Sequence, residues 1–458
     1  MEITALLSDL TAIVGASHVH TAEQLAARDP GFDPDNLNAR LAVYPATTAE
    51  VAEVVSLCAR HHIPIVPQGG LTGLSGAAAS NPDSLILGLR RMNAIEALDP
   101  GAGTALVQCG AALQTVEDAA SAHGLSVGID LGARGTATIG GMIATNAGGM
   151  EAFRNGSMRA RVLGLEAVLA SGAVLNDLTE VPKCNEGYDL KHLFCGAEGT
   201  LGIVTRAVLA LTPATLPTTT LLIAVEDAAA ARAITQTCAR MPAVTLLQSE
   251  IMWRHYAVTV AREIGLSALL GFCDAPAYLL IELAATDPDA ALEALFTDPQ
   301  VEAAMQDAIV AKNEKERAEI WRIREESFIV DRTVPHCQWY DISVPLGRID
   351  ETVRAIEKRL TALDPTLGIW VMGHLGDGNL HYTIGNGHPQ PPARQTAIAD
   401  AVYEGLKKIG GAFSAEHGIG TDKRASLAKH GDPEKRRLMK DIKRAFDPLG
   451  IMNPGKVL

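Results

Sequence analysis

The sequence is short of positive charge and of aromatic rings, and it holds no long uninterrupted apolar run. Lys and Arg total 39 against 53 Asp and Glu, a net charge of −14. Nucleic acid and anionic membrane surfaces both demand a basic footprint, so neither is expected as a principal partner. The most apolar window, residues 264–285, is broken by Asp274, Pro276 and Glu282 and does not read as a membrane span. The cysteines (Cys58, Cys109, Cys184, Cys195, Cys238, Cys273 and Cys337) are odd in number, scattered, and free of any Cys-x-x-Cys pair. This argues against a disulfide framework or a thiolate zinc centre and for a reducing compartment. Met1-Glu2-Ile3-Thr4 has no basic stretch ahead of its apolar residues, so no signal peptide is expected. The setting read from these absences is cytoplasmic, with peripheral docking on the inner membrane left open.

What is present is material for a large core: 458 residues, 47% apolar and 20% charged, enough for two or three domains. Residues 1–40 read as helix followed by loop. From residue 41 to about 215, short strands alternate with helices and glycine loops. Residues 216–400 lack such loops and pair strands with helices, which suggests a separate α+β domain. Residues 401–458 read as mostly helical. Helices are expected over 49–61, 113–123 and 311–326, and strands over 84–88, 105–109, 244–249, 278–284 and 339–344. A hairpin is expected over 162–175.

Glycine, 42 residues in all, gathers in four loops with small hydroxyl and amide side chains. The first runs Pro67-Gln68-Gly69-Gly70-Leu71-Thr72-Gly73-Leu74-Ser75-Gly76. The second spans Asp130, Leu131, Gly132, Gly135, Thr138, Ile139, Gly140 and Gly141. The third is Thr145-Asn146-Ala147-Gly148-Gly149, and the fourth is Gly196-Ala197-Glu198-Gly199-Thr200-Leu201-Gly202, followed by Ile203. Glycine allows positive φ and close backbone approach, and successive amides in such loops form concave anion sites suited to a pyrophosphate. Neither a Gly-x-Gly-x-x-Gly between strand and helix nor a Gly-Lys-Ser/Thr loop occurs, so a Rossmann site and a P-loop are unsupported. Dispersed loops suit an extended ligand with phosphates and a ring system.

A second constellation lies in Gly373-His374-Leu375-Gly376-Asp377-Gly378-Asn379-Leu380-His381. Asp-Gly between extended flanks signals a two-residue hairpin turn. That turn would set His374 directly opposite His381, close enough to share a divalent metal. An exposed histidine pair without a metal is the alternative. Ser414-Ala415-Glu416-His417-Gly418 adds a carboxylate and another imidazole in a glycine-flanked turn. Two His and one carboxylate leave coordination positions open for a substrate, and zinc or manganese suits such ligands. The same set would also serve a metallohydrolase.

Taken together, Pro-Gln-Gly-Gly-x-Thr-Gly-Leu at 67–74, Ile-Gly-Gly-x-x-x-Thr-Asn-Ala-Gly-Gly at 139–149, Tyr188-Asp189-Leu190-Lys191-His192-Leu193-Phe194, Glu198–Thr205 and the terminal Asn453-Pro454-Gly455-Lys456 resemble the FAD-binding flavoproteins of the vanillyl-alcohol-oxidase (PCMH) type. The resemblance is to the branch holding D-2-hydroxyglutarate dehydrogenase, D-lactate dehydrogenase and the glycolate oxidase flavin subunit, and it spans essentially the whole chain. It implies an α+β architecture: a two-subdomain FAD-binding domain, a cap domain with an antiparallel sheet, and a C-terminal segment returning to the FAD domain. The four loops and Asn453 would hold FAD. Some relatives tether the flavin through His or Cys; residues 68–71 offer neither, so non-covalent FAD is expected. The resemblance further implies His374, His381 and Glu416 as metal ligands, His417 as base and Arg324 as the arginine that binds the substrate carboxylate.

Such a site would oxidise a small D-2-hydroxy acid, with hydride passing to flavin N5 and electrons leaving to a quinone, an electron-transfer flavoprotein or a cytochrome. His417, with an ordinary imidazole pKa of about 6.5, suits proton acceptance near neutrality. Where the hydroxyglutarate enzymes carry Thr, Lys and Asn, this chain has Phe328, Trp339 and Thr383. If the two aromatic side chains line the pocket, they disfavour a second carboxylate and favour D-lactate or a longer or aromatic D-2-hydroxy acid; the alternative is that they pack in the cap core. A role as an electron-transfer subunit of a glycolate-oxidase-like complex stays open, as does a homodimer.

Overall fold

The computed structural model describes residues 3–214, 218–242 and 244–458. The chain forms two compact units, Met1–Ala214 with Glu416–Leu458, and Thr215–Ala415.

The first unit holds two principal sheets. In the smaller, strands Leu41–Val43 and Ile65–Gln68 each run parallel to Leu85–Gly88, and Val19–Thr21 pairs antiparallel at the edge. The three parallel strands are short and mostly apolar because both faces are covered, whereas the edge strand Val19–Thr21 is only partly buried. The larger sheet is antiparallel, in the order 95–99, 104–108, 203–210, 162–168, 174–177. The expected hairpin is there, with Val168 opposite Val174. Helix Thr48–His61 starts where the Thr47 side chain accepts from the Glu50 amide. Val51, Val54, Val55, Leu57 and Cys58 then fall on its buried face. The C-terminal segment joins this unit through the Ile65 amide, which donates to the Ile451 carbonyl, and the Asn453 amide, which donates to Ile65.

The second unit is built on a seven-stranded antiparallel sheet, in the order 305–310, 218–225, 277–285, 244–253, 368–374, 379–385, 338–343. The interior strand Ala277–Ala285, third in that order, is apolar at almost every position and buried on both faces. Strand Met305–Val310 escapes a reading by periodicity, since it carries no clean apolar alternation. The strand expected at 244–249 continues to Trp253. Residues 401–415 stay with this unit because Ser343 and Ala412 exchange backbone hydrogen bonds and the Ala415 amide donates to Asp341. The chain enters the first unit again at Glu416.

Candidate active site

In the first unit the glycine loops stack on one another. A Cβ on Gly69 would lie 2.3 Å from Thr138 Oγ1, and one on Gly70 would lie 1.9 Å from the Thr136 carbonyl, so only glycine lets the first two loops meet. Leu71 sits in the left-handed region at φ +57°. The amides of residues 70–74 donate to no other described residue, which leaves a run of N–H groups on a bent loop. Gly73, Gly132 and Gly135 face open space. The Ser75 hydroxyl and the Asn453 Oδ1 are buried without a hydrogen-bond partner. An amide-lined loop, open glycine positions and orphaned polar atoms fit a dinucleotide with phosphates. The residues present therefore fit FAD.

Not every glycine-loop residue serves that purpose directly. Gln68 is buried and its amide nitrogen donates to the carbonyls of Asn36 and Ala78, tying the loop down. Asn146 caps its helix at φ +53° and accepts from Ser157 Oγ and the Arg159 amide. Glu198 accepts from the amides of Ile419 and Gly420 at 2.6 and 2.7 Å. Burial nevertheless pushes its carboxyl above the usual range, despite those two bonds and nearby Lys423 and Lys456. It thus clamps the turn that follows Glu416 and His417. Glu416 Oε1 itself accepts from the Gly149 amide at 2.7 Å, linking the third glycine loop to the 414–420 segment.

In the second unit, His374 and His381 stand on one face of the sheet with ring centroids 5.2 Å apart and ring planes 86° to each other. The register differs from the two-residue turn read from Asp377-Gly378. His374 pairs with Asn379 and His381 with Met372, so residues 375–378 form a four-residue loop and the histidines are diagonal neighbours. Two tertiary bonds hold the longer loop, from the Leu375 amide to the Ser249 carbonyl and from the Val344 amide to the Gly378 carbonyl, and locally Asp377 Oδ1 accepts from the Asn379 amide. The shift is by two residues, an even number, so both imidazoles keep their common face.

Two carboxylates that the motif reading did not single out support these histidines. Glu250, fully buried, lies opposite His374 on the neighbouring strand and accepts from its Nδ1 at 2.7 Å. Its other oxygen accepts from Arg324 Nε at 2.6 Å. Burial alone would raise the Glu250 carboxyl, but Arg324 and His374 outweigh it and hold it below the usual range. Asp341, also fully buried, lies opposite His381, with 3.8 Å between its Oδ1 and His381 Nδ1. It accepts from Asn379 Nδ2 and from the Ala415 amide, the residue before Glu416. The signal for both was legible: an acidic residue inside an otherwise apolar strand is costly unless it is paired.

Arg324, on helix Glu314–Glu325, is only 7% exposed despite the charged helix around it. Thr383 lies between Trp339 and Trp370 on the face that carries His381. Phe328 and Trp339 pack edge to face at 5.4 Å, and Phe328 is 42% exposed, so this pair is not part of the buried core.

A family model described as "FAD binding domain" matches residues 39–177, and one described as "FAD linked oxidases, C-terminal domain" matches residues 217–457. A mitochondrial D-2-hydroxyglutarate dehydrogenase from Bos taurus is 34% identical, over 92% of this chain and 77% of its own. The D-2-hydroxyglutarate dehydrogenase of Stutzerimonas stutzeri is 32% identical, over 91% and 90%. Among solved structures, p-cresol methylhydroxylase with substrate bound superposes with a TM-score of 0.78 at 19% identity, covering 99% of this chain and 96% of that one, which establishes the fold. No helix among the described residues is long and apolar enough to cross a membrane. The chain belongs to the FAD-linked oxidase family and is an FAD-dependent oxidoreductase of the branch that holds the D-2-hydroxyacid dehydrogenases.

Proposed function

We propose that the protein oxidises a D-2-hydroxy acid with an apolar or small side chain to the 2-oxo acid, with His374, His381 and Glu416 holding a divalent metal and FAD bound non-covalently. The observation that carries the reading is the pairing of two imidazoles on one sheet face with an Asp341 carboxylate that anchors Ala415, one residue before Glu416. Peptide connectivity alone keeps Glu416 and His417 within a few residues of that anchor.

Each residue then has a task. Arg324 offers a planar guanidinium for the substrate carboxylate. His417 accepts the proton of the substrate hydroxyl as C2 is oxidised. Phe328 and Trp339 present aromatic surface to the substrate side chain, which an unpaired second carboxylate would not tolerate. A divalent metal held by His374, His381 and Glu416 would make the substrate hydroxyl more acidic when bound, and FAD held by the glycine loops would supply the hydride acceptor.

The relatives named for D-2-hydroxyglutarate favour a second substrate, hydroxyglutarate itself. Anaerobic flavin bleaching across a panel of D- and L-2-hydroxy acids, with and without chelator, separates the two. Bleaching by D-lactate or an aromatic D-2-hydroxy acid, slowed by chelator, is expected. Fastest bleaching by D-2-hydroxyglutarate would transfer the assignment to that substrate, and no bleaching in metal-replete protein would end the reading.

A further inference from the structure

Glu250 joins two side chains that the proposed reaction uses for different purposes. Its Oε1 accepts from His374 Nδ1 at 2.7 Å and its Oε2 from Arg324 Nε at 2.6 Å. All three are buried: Glu250 shows no exposed surface, and His374 and Arg324 show 5% and 7%. Tyr256 OH donates to the Arg324 carbonyl at 2.9 Å, fixing the end of that helix to helix Arg254–Glu263, which directly follows the Glu250 strand.

We infer that Glu250 is a positioning residue, one carboxylate that sets the metal-ligand face of His374 and the orientation of the Arg324 guanidinium together. The inference rests on the metal reading given above. A carboxylate on Nδ1 places the imidazole proton there and leaves the Nε2 lone pair for a metal, and it raises the basicity of that nitrogen. The same anion holds the guanidinium at a fixed angle, so that binding of a substrate carboxylate costs little side-chain ordering. Stability does not explain the arrangement well. Burying an ion pair carries a desolvation penalty that apolar side chains of similar volume would avoid. Because one carboxylate serves both, metal loading and substrate binding are coupled through it, and that coupling is reciprocal.

The test uses full-length, FAD-loaded protein stripped of metal. Zinc affinity is measured by chelator competition, and KM and kcat are measured with whichever D-2-hydroxy acid reduces the flavin fastest. Glu250→Gln can accept from only one of the two partners, and Glu250→Asp draws the anion back by one methylene. Either folded variant, checked by FAD content and melting temperature, is expected to bind zinc about 10–100-fold more weakly. Its KM is expected to rise by a larger factor than kcat falls. A purely structural role would leave zinc affinity and the KM-against-kcat split at wild-type values in a folded variant, and that result overturns the inference.

A measurement on wild-type protein covers the case in which both variants misfold. Nitrogen NMR of histidine-labelled, metal-free protein should show His374 protonated on Nδ1 with Nε2 bare, and the opposite tautomer overturns the inference. Wild-type protein that takes up no zinc is a separate failure, of the metal reading itself, and is seen before any variant is made.

Discussion

At the scale of single residues, His417 is the side chain whose role is most sharply separable. It follows the carboxylate proposed as a metal ligand, and its turn is clamped by Glu198, so replacing its imidazole leaves the backbone bonds of Ile419 and Gly420 intact. His417→Ala is expected to retain FAD and metal while flavin reduction in a stopped-flow trace slows by about 10²–10⁴-fold, the usual worth of a general base. Reduction at the wild-type rate would remove His417 from the proton transfer. Substrate choice is a residue-scale question too. Trp339 pairs edge to face with the half-exposed Phe328 and lies opposite Thr383 on the sheet face that carries His381. Trp339→Lys would put a cation where an indole stands, so the ratio of kcat/KM for D-2-hydroxyglutarate to that for D-lactate is expected to rise. An unchanged ratio would place Trp339 outside the pocket.

At the scale of elements, the 414–420 segment depends on a partner more than two hundred residues away in sequence. Glu198 holds the amides of Ile419 and Gly420, and Gly418 sits at φ +77° where a Cβ would lie 2.6 Å from Glu198 Oε1. Burial keeps the Glu198 carboxyl above its ordinary value of 4.5. A group raised in the folded state lends stability below its unfolded pKa and loses that contribution as pH rises through the folded one. Glu198→Gln does not titrate. The melting-temperature advantage of wild type over Glu198→Gln should therefore shrink as pH rises through the window above about 4.5, as scanning calorimetry would show. A constant difference across that window would mean that burial does not raise this carboxyl. The elements also show what a linear pattern can carry. The His374 and His381 pair was legible because strand side chains alternate with period two, and the even register shift preserved their shared face. The four-residue loop was not legible, since it is held by Ser249 and Val344, which no local signal connects to Asp377-Gly378. The helix expected over 311–326 is rich in charge, which alone points to water, yet it ends on the buried Arg324, because a distant strand supplies Glu250.

At the scale of the whole molecule, the absence of disulfide chemistry gives a probe of both units at once. All seven cysteines are free, and they divide between the two units. Cys184 is exposed; Cys58, Cys109, Cys195 and Cys238 are buried, and Cys273 and Cys337 are partly covered. Burial pushes the Cys58 and Cys238 thiols up to about 12 and Cys195 to about 11, so little nucleophilic thiolate exists at neutral pH even where reagent can reach. Native protein should thus show its fastest thiol with Ellman's reagent at the exposed Cys184, slow reaction at Cys58, Cys195 and Cys238, and all seven in denaturant. Cys58, Cys109 and Cys195 belong to the unit with the glycine loops, and Cys238 to the unit with the sheet that carries the histidines. A ligand that binds only the folded first unit stabilises it by about 2.7 kcal/mol at a hundred times its Kd. When labelling requires opening, that corresponds to a slowing of about 100-fold. Excess FAD should therefore protect Cys58, Cys109 and Cys195 by up to that factor, with residue-resolved mass spectrometry as the readout. Added zinc, held in this reading by two side chains of the second unit, should protect Cys238 as well. FAD that protects Cys238 as strongly as the other three would show that the two units open as one cooperative body, and FAD that protects none would place its binding elsewhere than on the four glycine loops.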